Sequence, residues 1–336
     1  MDWLVQIFNW VANNEAVLSG IAAAIAIIAV VFALTYRAFR VWRRRSAKSD
    51  SAGLGSSDNA RTNLQQEVRY CKLSGGHKIA WASTGSGYPL VRALGWFTNL
   101  DVEWNSPISS PFWVRLGNRF QLIRYDGRGM GLSDRDVGEF SAASRLEDLE
   151  TVIEASGVEK FALMGLSEGG ATTIAYAAKH PERVSHLIIW GSFLVTPDAE
   201  DTPQFGVIAR QIPKYWGSDS GAFHQMFTAL FLPDGNAEQN RLFNEMQRSS
   251  ATPEVAFNFL KSAVELDVRD IASDVQVPAL VLHRKGDLVV PAKYGQEIAS
   301  QLPNARMVLL EGNNHWMIAG DEDMDYVVGL IENFIL

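Results

Sequence analysis

The chain contains 336 residues, of which 47% are hydrophobic, with a single cysteine and a formal net charge of −8. This length is enough for one large domain with appended segments, and the lone Cys71 excludes an intramolecular disulfide. Residues 1–48 carry six of the basic residues and two of the acidic ones, so the rest of the chain has a net charge of −12. Such an acidic body is a poor partner for phosphate backbones, and we expect no nucleic-acid binding.

Residues 16–36 form an uncharged run of 21 residues, AVLSGIAAAIAIIAVVFALTY. As a helix this run is long enough to cross the hydrocarbon core of a membrane, and it lacks the polar stripe of a buried amphipathic helix. A cleavable signal peptide is the alternative, but the basic residues follow the run instead of preceding it. We therefore predict a transmembrane anchor with the lipid bilayer as its partner. Gly20 and Ala24 could support a homodimer through this helix.

The basic residues after the run determine the predicted orientation of the anchor. They cluster within residues 37–48, and basic residues are retained on the cytoplasmic side of a membrane. We predict a single-pass membrane protein with its N-terminus outside and its main body in the cytoplasm. Residues 1–15 show the spacing of an interfacial amphipathic helix, although a frayed start to the anchor is the alternative. Residues 37–63 are predicted to be a basic juxtamembrane segment followed by a flexible linker rich in Ser, Gly and Asp.

From residue 64 onward, strand patterns alternate with helix patterns. The first two strands are predicted to form a hairpin around Gly75 and Gly76. The predicted strands are 67–73, 77–83, 89–94, 121–126, 161–166, 186–190, 279–283 and 306–310. The predicted helices are 113–120, 141–156, 170–180 and 321–336. Strands that alternate with helices imply an α/β fold, with a mostly parallel eight-stranded sheet and helices on both faces.

Between the fifth strand and the next helix stands Gly165-Leu166-Ser167-Glu168-Gly169. This G-x-S-x-G pattern places a serine on a sharp turn above the sheet, and Gly165 and Gly169 leave room for that turn. The start of the following helix directs free N–H groups at negative charge beside the hydroxyl. We interpret Ser167 as a nucleophile; an ordinary helix-capping serine is the alternative, but it would not need both glycines.

A serine hydroxyl needs a base to become a nucleophile, and His315 is the candidate among six histidines. His315 follows the last predicted strand directly. In a parallel sheet, that loop opens on the same edge as the loop that carries Ser167. The other histidines lie in a hairpin, at helix or strand ends, or in the irregular region before residue 279, and we interpret them as structural.

A catalytic serine and its histidine usually act with a third residue, which orients the imidazole and stabilises its cation. Asp287 follows the penultimate strand, on the same predicted edge, and gives the chain order Ser, Asp, His. Asp126 also ends a strand, but it precedes the serine and a Gly-Arg-Gly turn, so we interpret it as structural. Asp270 and Asp274 are weaker alternatives.

We expect neither a cofactor nor a metal. The glycines at positions 127, 129 and 131 lack the G-x-G-x-x-G spacing of a dinucleotide loop, and a tight turn explains them better. The sequence contains no G-x-x-x-x-G-K-[ST] loop and no His/Cys cluster with metal-ligand spacing.

From about residue 67 to the C-terminus, the sequence resembles the α/β-hydrolase superfamily. The matching segments are GLSEGG, HRKGDLVVP, NNH, YDGRGMGLSD and AAKHPERVSHLIIWGS. The last two, with LVRALGWFTNLDVEWNSP, are most similar to hydrolase domains that bacteria fuse to adenylate cyclases and transcriptional regulators. The resemblance implies an α/β-hydrolase fold whose core comprises residues 64–195 and 271–336, with an aromatic-rich helical lid at residues 196–270.

The same resemblance implies an oxyanion hole formed by the backbone N–H groups of Trp96 and Glu168. The family usually has a histidine two residues before Trp96, where this chain has Leu94. A backbone donor survives that change, but the loop loses a polar residue that often braces it.

These features predict a membrane-anchored serine hydrolase, resembling a carboxylesterase or lipase, which cleaves a small apolar ester through an acyl-serine intermediate. The alternative is a hydrolase-like protein that senses a ligand and signals through a partner, with slow or no turnover. The serine at position 167 argues against dehalogenases and epoxide hydrolases of this fold, because those enzymes need a carboxylate there.

Overall fold

The computed structural model describes residues 64–138, 140–198, 200–216 and 222–336. The predicted amphipathic segment, membrane anchor and linker, which together make up residues 1–63, lie outside the described residues. Within the described ranges, no helix combines the length and the apolar character that a membrane span requires.

Eight strands of the described chain form one sheet. They are β1 (Glu67–Lys72), β2 (Lys78–Thr84), β3 (Pro89–Ala93), β4 (Gln121–Tyr125), β5 (Phe161–Leu166), β6 (Val184–Trp190), β7 (Ala279–Arg284) and β8 (Ala305–Leu310). Their spatial order is β1-β2-β4-β3-β5-β6-β7-β8. Strand β2 runs antiparallel to β1 and β4, whereas the other neighbouring pairs are parallel. The predicted mostly parallel eight-stranded sheet is therefore confirmed.

The central strands are continuous apolar runs because both of their faces are covered. Every residue of β5 (FALMGL) and β7 (ALVLHR) is buried, as expected for parallel strands between two helical layers. The edge strand β1, by contrast, has no buried residue. The central strands, β5 and its neighbours, are therefore the part of the sheet that is best shielded from water.

Twelve helices accompany the sheet in the described chain: α1 (Leu100–Asn105), α2 (Ser110–Gly117), α3 (Ala142–Ser156), α4 (Gly169–Lys179), α5 (Pro203–Ala209), α6 (Ile212–Tyr215), α7 (Ala222–Phe231), α8 (Ala237–Ser250), α9 (Pro253–Ala263), α10 (Arg269–Ala272), α11 (Ala292–Gln301) and α12 (Met324–Ile335). Helices α3, α4, α10 and α11 form one connected group, and α1, α2 and α12 form another. Helices α5 to α9 lie between β6 and β7 in sequence, within the segment predicted as a lid.

Helices α1 and α11 are absent from the sequence prediction. Helix α1 has six residues, and its first turn is held by Asn99, whose side chain accepts from the Val102 N–H. The Asp126 carboxylate also accepts from the Leu100 N–H, at 2.9 Å. This second contact comes from the end of β4, so the local sequence around α1 does not reveal it. Helix α11 follows Pro291 directly, and its start had no other local signal.

All four predicted helices are found, and two of them begin three residues away from the predicted start. Helix α2 begins at Ser110 instead of residue 113, because Pro111 is favourable in the first turn of a helix. Helix α12 begins at Met324 instead of residue 321. The Asp321 carboxylate is occupied elsewhere: it accepts from the Ile318 N–H at 2.9 Å and lies 3.2 Å from Arg284.

Candidate active site

Ser167 lies between β5 and α4 with φ of +51°, and it is the one non-glycine residue with positive φ in the described chain. Its N–H donates to the carbonyl oxygen of Trp190 at the end of β6, at 2.8 Å. A β-carbon at Gly165 would lie 2.6 Å from the Gly169 carbonyl oxygen, so the turn requires glycine there. Such a backbone costs about 1–3 kcal/mol and persists only where its surroundings enforce it.

Asp287 and His315 are joined by a short hydrogen bond. His315 Nδ1 lies 2.6 Å from Asp287 Oδ2, and both side chains are buried. The other carboxylate oxygen, Oδ1, accepts from the N–H groups of Val289 and Val290 at 2.9 and 3.0 Å. These bonds fix the carboxylate, and a carboxylate that accepts from Nδ1 leaves Nε2 of the ring free to act as a base.

The Ser167 turn and the His315 ring both contact the chain at the end of β6. Gly191 directly follows Trp190, the residue that binds the Ser167 N–H. A β-carbon at Gly191 would lie 3.1 Å from His315 Cε1 and 3.3 Å from Asp287 Oδ2. The Trp190 indole N–H also donates to the His315 carbonyl oxygen at 2.8 Å. The structure therefore brings the three predicted catalytic residues to one edge of the sheet.

His283 supports Asp287 in a way that was not predicted from the sequence. Its Nε2 donates to the Val290 carbonyl oxygen at 2.8 Å and lies 3.6 Å from Asp287 Oδ2. Burial lowers the pKa of His283, although the Asp287 charge acts in the opposite direction. The ring is thus a neutral donor that fixes the loop around Asp287. The only signal in the sequence was its position, four residues before Asp287.

Arg284 connects the two ends of the loop that carries His315. Its guanidinium donates to the Glu311 carbonyl oxygen and, at 2.9 Å, to Asp323. It also lies 3.2 Å from Asp321. Because this side chain is almost fully buried, its bonds are shielded from water, and they hold the loop closed behind His315.

The loop of Leu94, Gly95 and Trp96 packs against the turn that carries Ser167. A β-carbon at Gly95 would clash with the carbonyl oxygen of Leu166, so the two backbones are in direct contact. The Leu94 N–H donates to the Tyr125 hydroxyl at 3.2 Å, and the Leu94 side chain is buried. Apolar packing and this one hydrogen bond therefore brace the loop in place of the usual polar side chain.

The two predicted oxyanion donors have free N–H groups. Within the described ranges, neither the Trp96 N–H nor the Glu168 N–H donates a hydrogen bond to the protein. Both residues line the same cavity as Ser167. A pair of unpaired backbone donors beside a nucleophile can stabilise a developing negative charge on oxygen.

The Glu168 carboxylate, which had no role predicted from the sequence, forms a buried ion pair. Arg145 Nη1 of α3 donates to Glu168 Oε2 at 2.7 Å, and both side chains are about 95% buried. Burial raises the pKa of Glu168 to about 7, while the Arg145 charge acts in the opposite direction. Arg145 precedes Glu168 by 23 residues, and no local pattern in the sequence links the two.

A cavity of about 60 Å³ opens above Ser167. Its wall is mostly apolar and aromatic and comes from the loop of residues 94–96 (the predicted oxyanion loop), from the segment after β6, from α5, α7 and α9, and from the Asp287 loop. The lining residues are Trp96, Ser167, Glu168, Phe193, Thr196, Pro197, Thr202, Phe205, Phe231, Leu260, Ala263, Val289 and Val290. Other aromatic residues of the predicted lid do not line this cavity and pack in the hydrophobic core, including Phe223, Phe227, Phe243 and Phe259.

The alternative aspartates lie elsewhere. The Asp126 carboxylate is buried and accepts from the N–H groups of Leu100 and Leu132, and burial raises its pKa to about 6. Asp270 and Asp274 are exposed. No group of three or more His, Cys, Asp or Glu side chains among the described residues could hold a metal ion.

The comparisons with known proteins support the observed fold. The sequence pattern of the alpha/beta hydrolase fold family matches residues 88–321. A 2-hydroxymuconate semialdehyde hydrolase of Pseudomonas putida is 25% identical over 293 residues, which cover 78% of this chain and 92% of that protein. A pimeloyl-[acyl-carrier protein] methyl ester esterase of Nitrosomonas europaea is 28% identical, covering 69% of this chain and 90% of the relative.

Solved structures support the same fold. A Rhodococcus esterase superimposes with a TM-score of 0.67 at 23% identity, covering 80% of this chain and 98% of the esterase. At that identity the likeness concerns the fold alone. The curated relatives are matched over most of their length.

Proposed function

This chain belongs to the alpha/beta hydrolase fold family, and from that premise we propose that it is a serine hydrolase that cleaves a small apolar ester through an acyl-serine intermediate. One observation carries the proposal. His315 is bound to Asp287 at 2.6 Å and packs at the same end of β6 that binds Ser167, whose backbone is held at φ of +51°. A strained turn that presents a hydroxyl to an oriented imidazole is the arrangement that nucleophilic acyl transfer requires.

In the proposed mechanism, the Ser167 hydroxyl attacks the ester carbonyl carbon while His315 Nε2 accepts the hydroxyl proton. Asp287 holds the imidazole through Nδ1 and stabilises the imidazolium that forms. The carbonyl oxygen becomes an oxyanion and binds the N–H groups of Trp96 and Glu168. Each such donor typically contributes ~3 kcal/mol to transition-state stabilisation.

Collapse of the tetrahedral intermediate breaks the bond to the alcohol. His315 gives its proton to the leaving oxygen, and the acyl group remains on Ser167. A water molecule then loses a proton to His315 and attacks the acyl carbonyl through the same oxyanion hole. The products are a carboxylic acid and an alcohol, and Ser167 regains its proton.

The cavity supports a short, apolar acyl group as the substrate portion. Nine of its thirteen lining residues are apolar or aromatic, which favours hydrocarbon over polar groups. Since one water needs about 10–15 Å³ of such space, 60 Å³ holds about four to six water-sized groups. This room suits an acyl chain of about four to six carbon atoms. The ester specificity of one relative, the methyl ester esterase, is consistent with the proposal.

Ester turnover by the full-length chain tests the proposal. We expect p-nitrophenyl butyrate to be hydrolysed and the Ser167→Ala variant to lose at least about 10⁴-fold in kcat, the scale of removing a triad member. The palmitate ester should be turned over much more slowly, because its chain exceeds the cavity. Equal turnover by wild type and Ser167→Ala would place any activity outside this site. A folded wild-type protein without turnover would favour the ligand-sensing alternative.

We further propose that residues 16–36 anchor this hydrolase in a membrane with its main body in the cytoplasm. The support is the 21-residue uncharged run and the basic cluster that follows it. Protease added to sealed spheroplasts should leave an epitope at the C-terminus intact until detergent is added. Digestion of that epitope in intact spheroplasts would contradict the orientation, and recovery of the chain in the soluble fraction would contradict the anchor.

A further inference from the structure

A buried negative charge stands directly beside the nucleophile. Glu168 is adjacent to Ser167, lines the cavity and is only 4% exposed. Its carboxylate lies in a region of low dielectric, where a charge acts more strongly on its neighbours than it does in water. Within the described chain no hydrogen bond reaches its Oε1, which is not among the fully enclosed polar atoms, so an acyl group that enters the cavity can approach this oxygen.

Arg145 is paired with the Glu168 carboxylate, and within the described chain its buried Nε has no hydrogen-bond partner. Its Nη1 is bonded to Glu168, and its Nη2 donates at 2.7 Å to the Phe259 carbonyl oxygen and to Ser262 Oγ. The Phe259 ring covers the guanidinium, with its centroid 4.0 Å from Arg145 Cζ. The guanidinium is thus committed to Glu168 and to helix α9 of the predicted lid.

The cavity wall offers no other positive charge. None of its described lining residues is a lysine, an arginine or a histidine. A carboxylate buried without a partner loses its hydration without compensation, and here it would also meet the like charge of Glu168. The hydroxyls of the wall offer little help: Thr196 already donates to the Ala263 carbonyl oxygen, and Thr202 donates to the Asp198 carbonyl oxygen at 3.2 Å.

We propose that Glu168, locked in place by Arg145, is a specificity-determining residue that excludes substrates whose acyl group ends in a carboxylate. The site then takes neutral acyl groups and rejects anionic ones of the same length. This inference rests on the proposed function, and it names the substrate class of that same site.

Two esters of equal acyl length separate charge from size: p-nitrophenyl pentanoate and the mono-p-nitrophenyl ester of glutaric acid. Their kcat/KM values are measured at pH 8, above the raised pKa of Glu168. The full-length wild type should favour pentanoate by about 100-fold, because the glutarate carboxylate would lose its hydration without a partner and would also meet the Glu168 carboxylate. Glu168→Gln should lower this ratio at least 10-fold, because the repulsion disappears and Arg145 gains a free charge.

The double variant Glu168→Gln/Arg145→Gln removes both charges and leaves no unpaired buried charge. It should also lower the ratio, but less than Glu168→Gln does, and it provides the test if the single variant does not fold. Glu103→Gln is the matched control, since Glu103 is a buried partner of Arg92 and Arg124 outside the cavity wall. Its ratio should equal that of the wild type.

The outcomes distinguish this inference from the proposed function. If the wild type hydrolyses pentanoate and the ratio is unchanged in both Glu168 variants, the charge-exclusion inference is overturned and the hydrolase proposal stands. Charge exclusion is likewise overturned if the wild type hydrolyses both esters equally well. If the wild type hydrolyses neither ester, the proposed function itself fails.

Discussion

At the scale of single residues, the site depends on backbone positions as much as on side chains. Ser167 adopts positive φ, and the two proposed oxyanion donors are main-chain N–H groups. Gly95 is the point where the oxyanion loop contacts the backbone of the serine turn, since an added β-carbon would clash with the Leu166 carbonyl. The geometry of the proposed oxyanion hole therefore depends on the absence of a side chain at position 95.

Gly95→Ala should move the oxyanion loop away from Ser167. We expect kcat for p-nitrophenyl butyrate to fall by about 10²-fold or more, the cost of losing one oxyanion donor, and the melting temperature to decrease. Gly138→Ala is the matched control, because a β-carbon there meets no atom within 4 Å. Unchanged kcat in a well-folded Gly95→Ala protein would contradict the assignment of the Trp96 N–H.

Residues that stand in a local motif or directly after a predicted strand could be predicted from the sequence. Ser167 stands in G-x-S-x-G, and Asp287 and His315 each follow a predicted strand, so the parallel sheet places them at one edge. Arg145 could not be predicted in the same way. Its contact with Glu168 depends on how α3 packs against α4, which no spacing along the chain records.

At the scale of secondary-structure elements, the buried strands were the easiest to predict. Strand β5 has the predicted bounds, because a continuous apolar run followed by Gly-x-Ser-x-Gly marks both its burial and its end. Helix α1 was not predicted, because much of its support comes from Asp126 at the end of another strand. Short helices that depend on distant residues show no clear hydrophobic periodicity in the sequence.

Helix α7 contains a histidine that should make the stability of the fold sensitive to acid. His224 is fully buried, and neither ring nitrogen has a hydrogen-bond partner in the described chain. Burial lowers the pKa of His224 to about 4, and the Arg248 charge acts in the same direction. The unfolded chain therefore binds the proton more readily, so stability is retained above pH 6.5 and lost as the pH falls towards 4.

His224→Leu should remove this part of the acid sensitivity. The difference in unfolding free energy between the variant and the wild type should shift in favour of the variant as the pH falls from about 7.5 to about 5, measured by urea unfolding. Phe223→Leu, at the neighbouring buried position of α7, is the control and should show no such shift, because it removes no titratable group. A pH-independent difference for His224→Leu would contradict the account of a buried neutral imidazole.

At the scale of the whole molecule, the alternation of strands and helices predicted the architecture but not the strand order. The sheet places β4 between β2 and β3, so the chain crosses over after β3 before it returns to β5. Several orders satisfy the same alternation, and side-chain packing selects among them. This order puts β3 beside β5, which brings the oxyanion loop and the serine turn together.

The central claim is that Ser167 is an activated nucleophile, and reaction with an alkyl fluorophosphonate tests it most directly. The full-length chain should gain the mass of one phosphonyl group, and peptide mapping should place that group on Ser167. His315→Ala should slow the labelling strongly, and Ser167→Ala should abolish it. A folded wild-type protein that stays unlabelled, or that is labelled at another residue, would contradict the account.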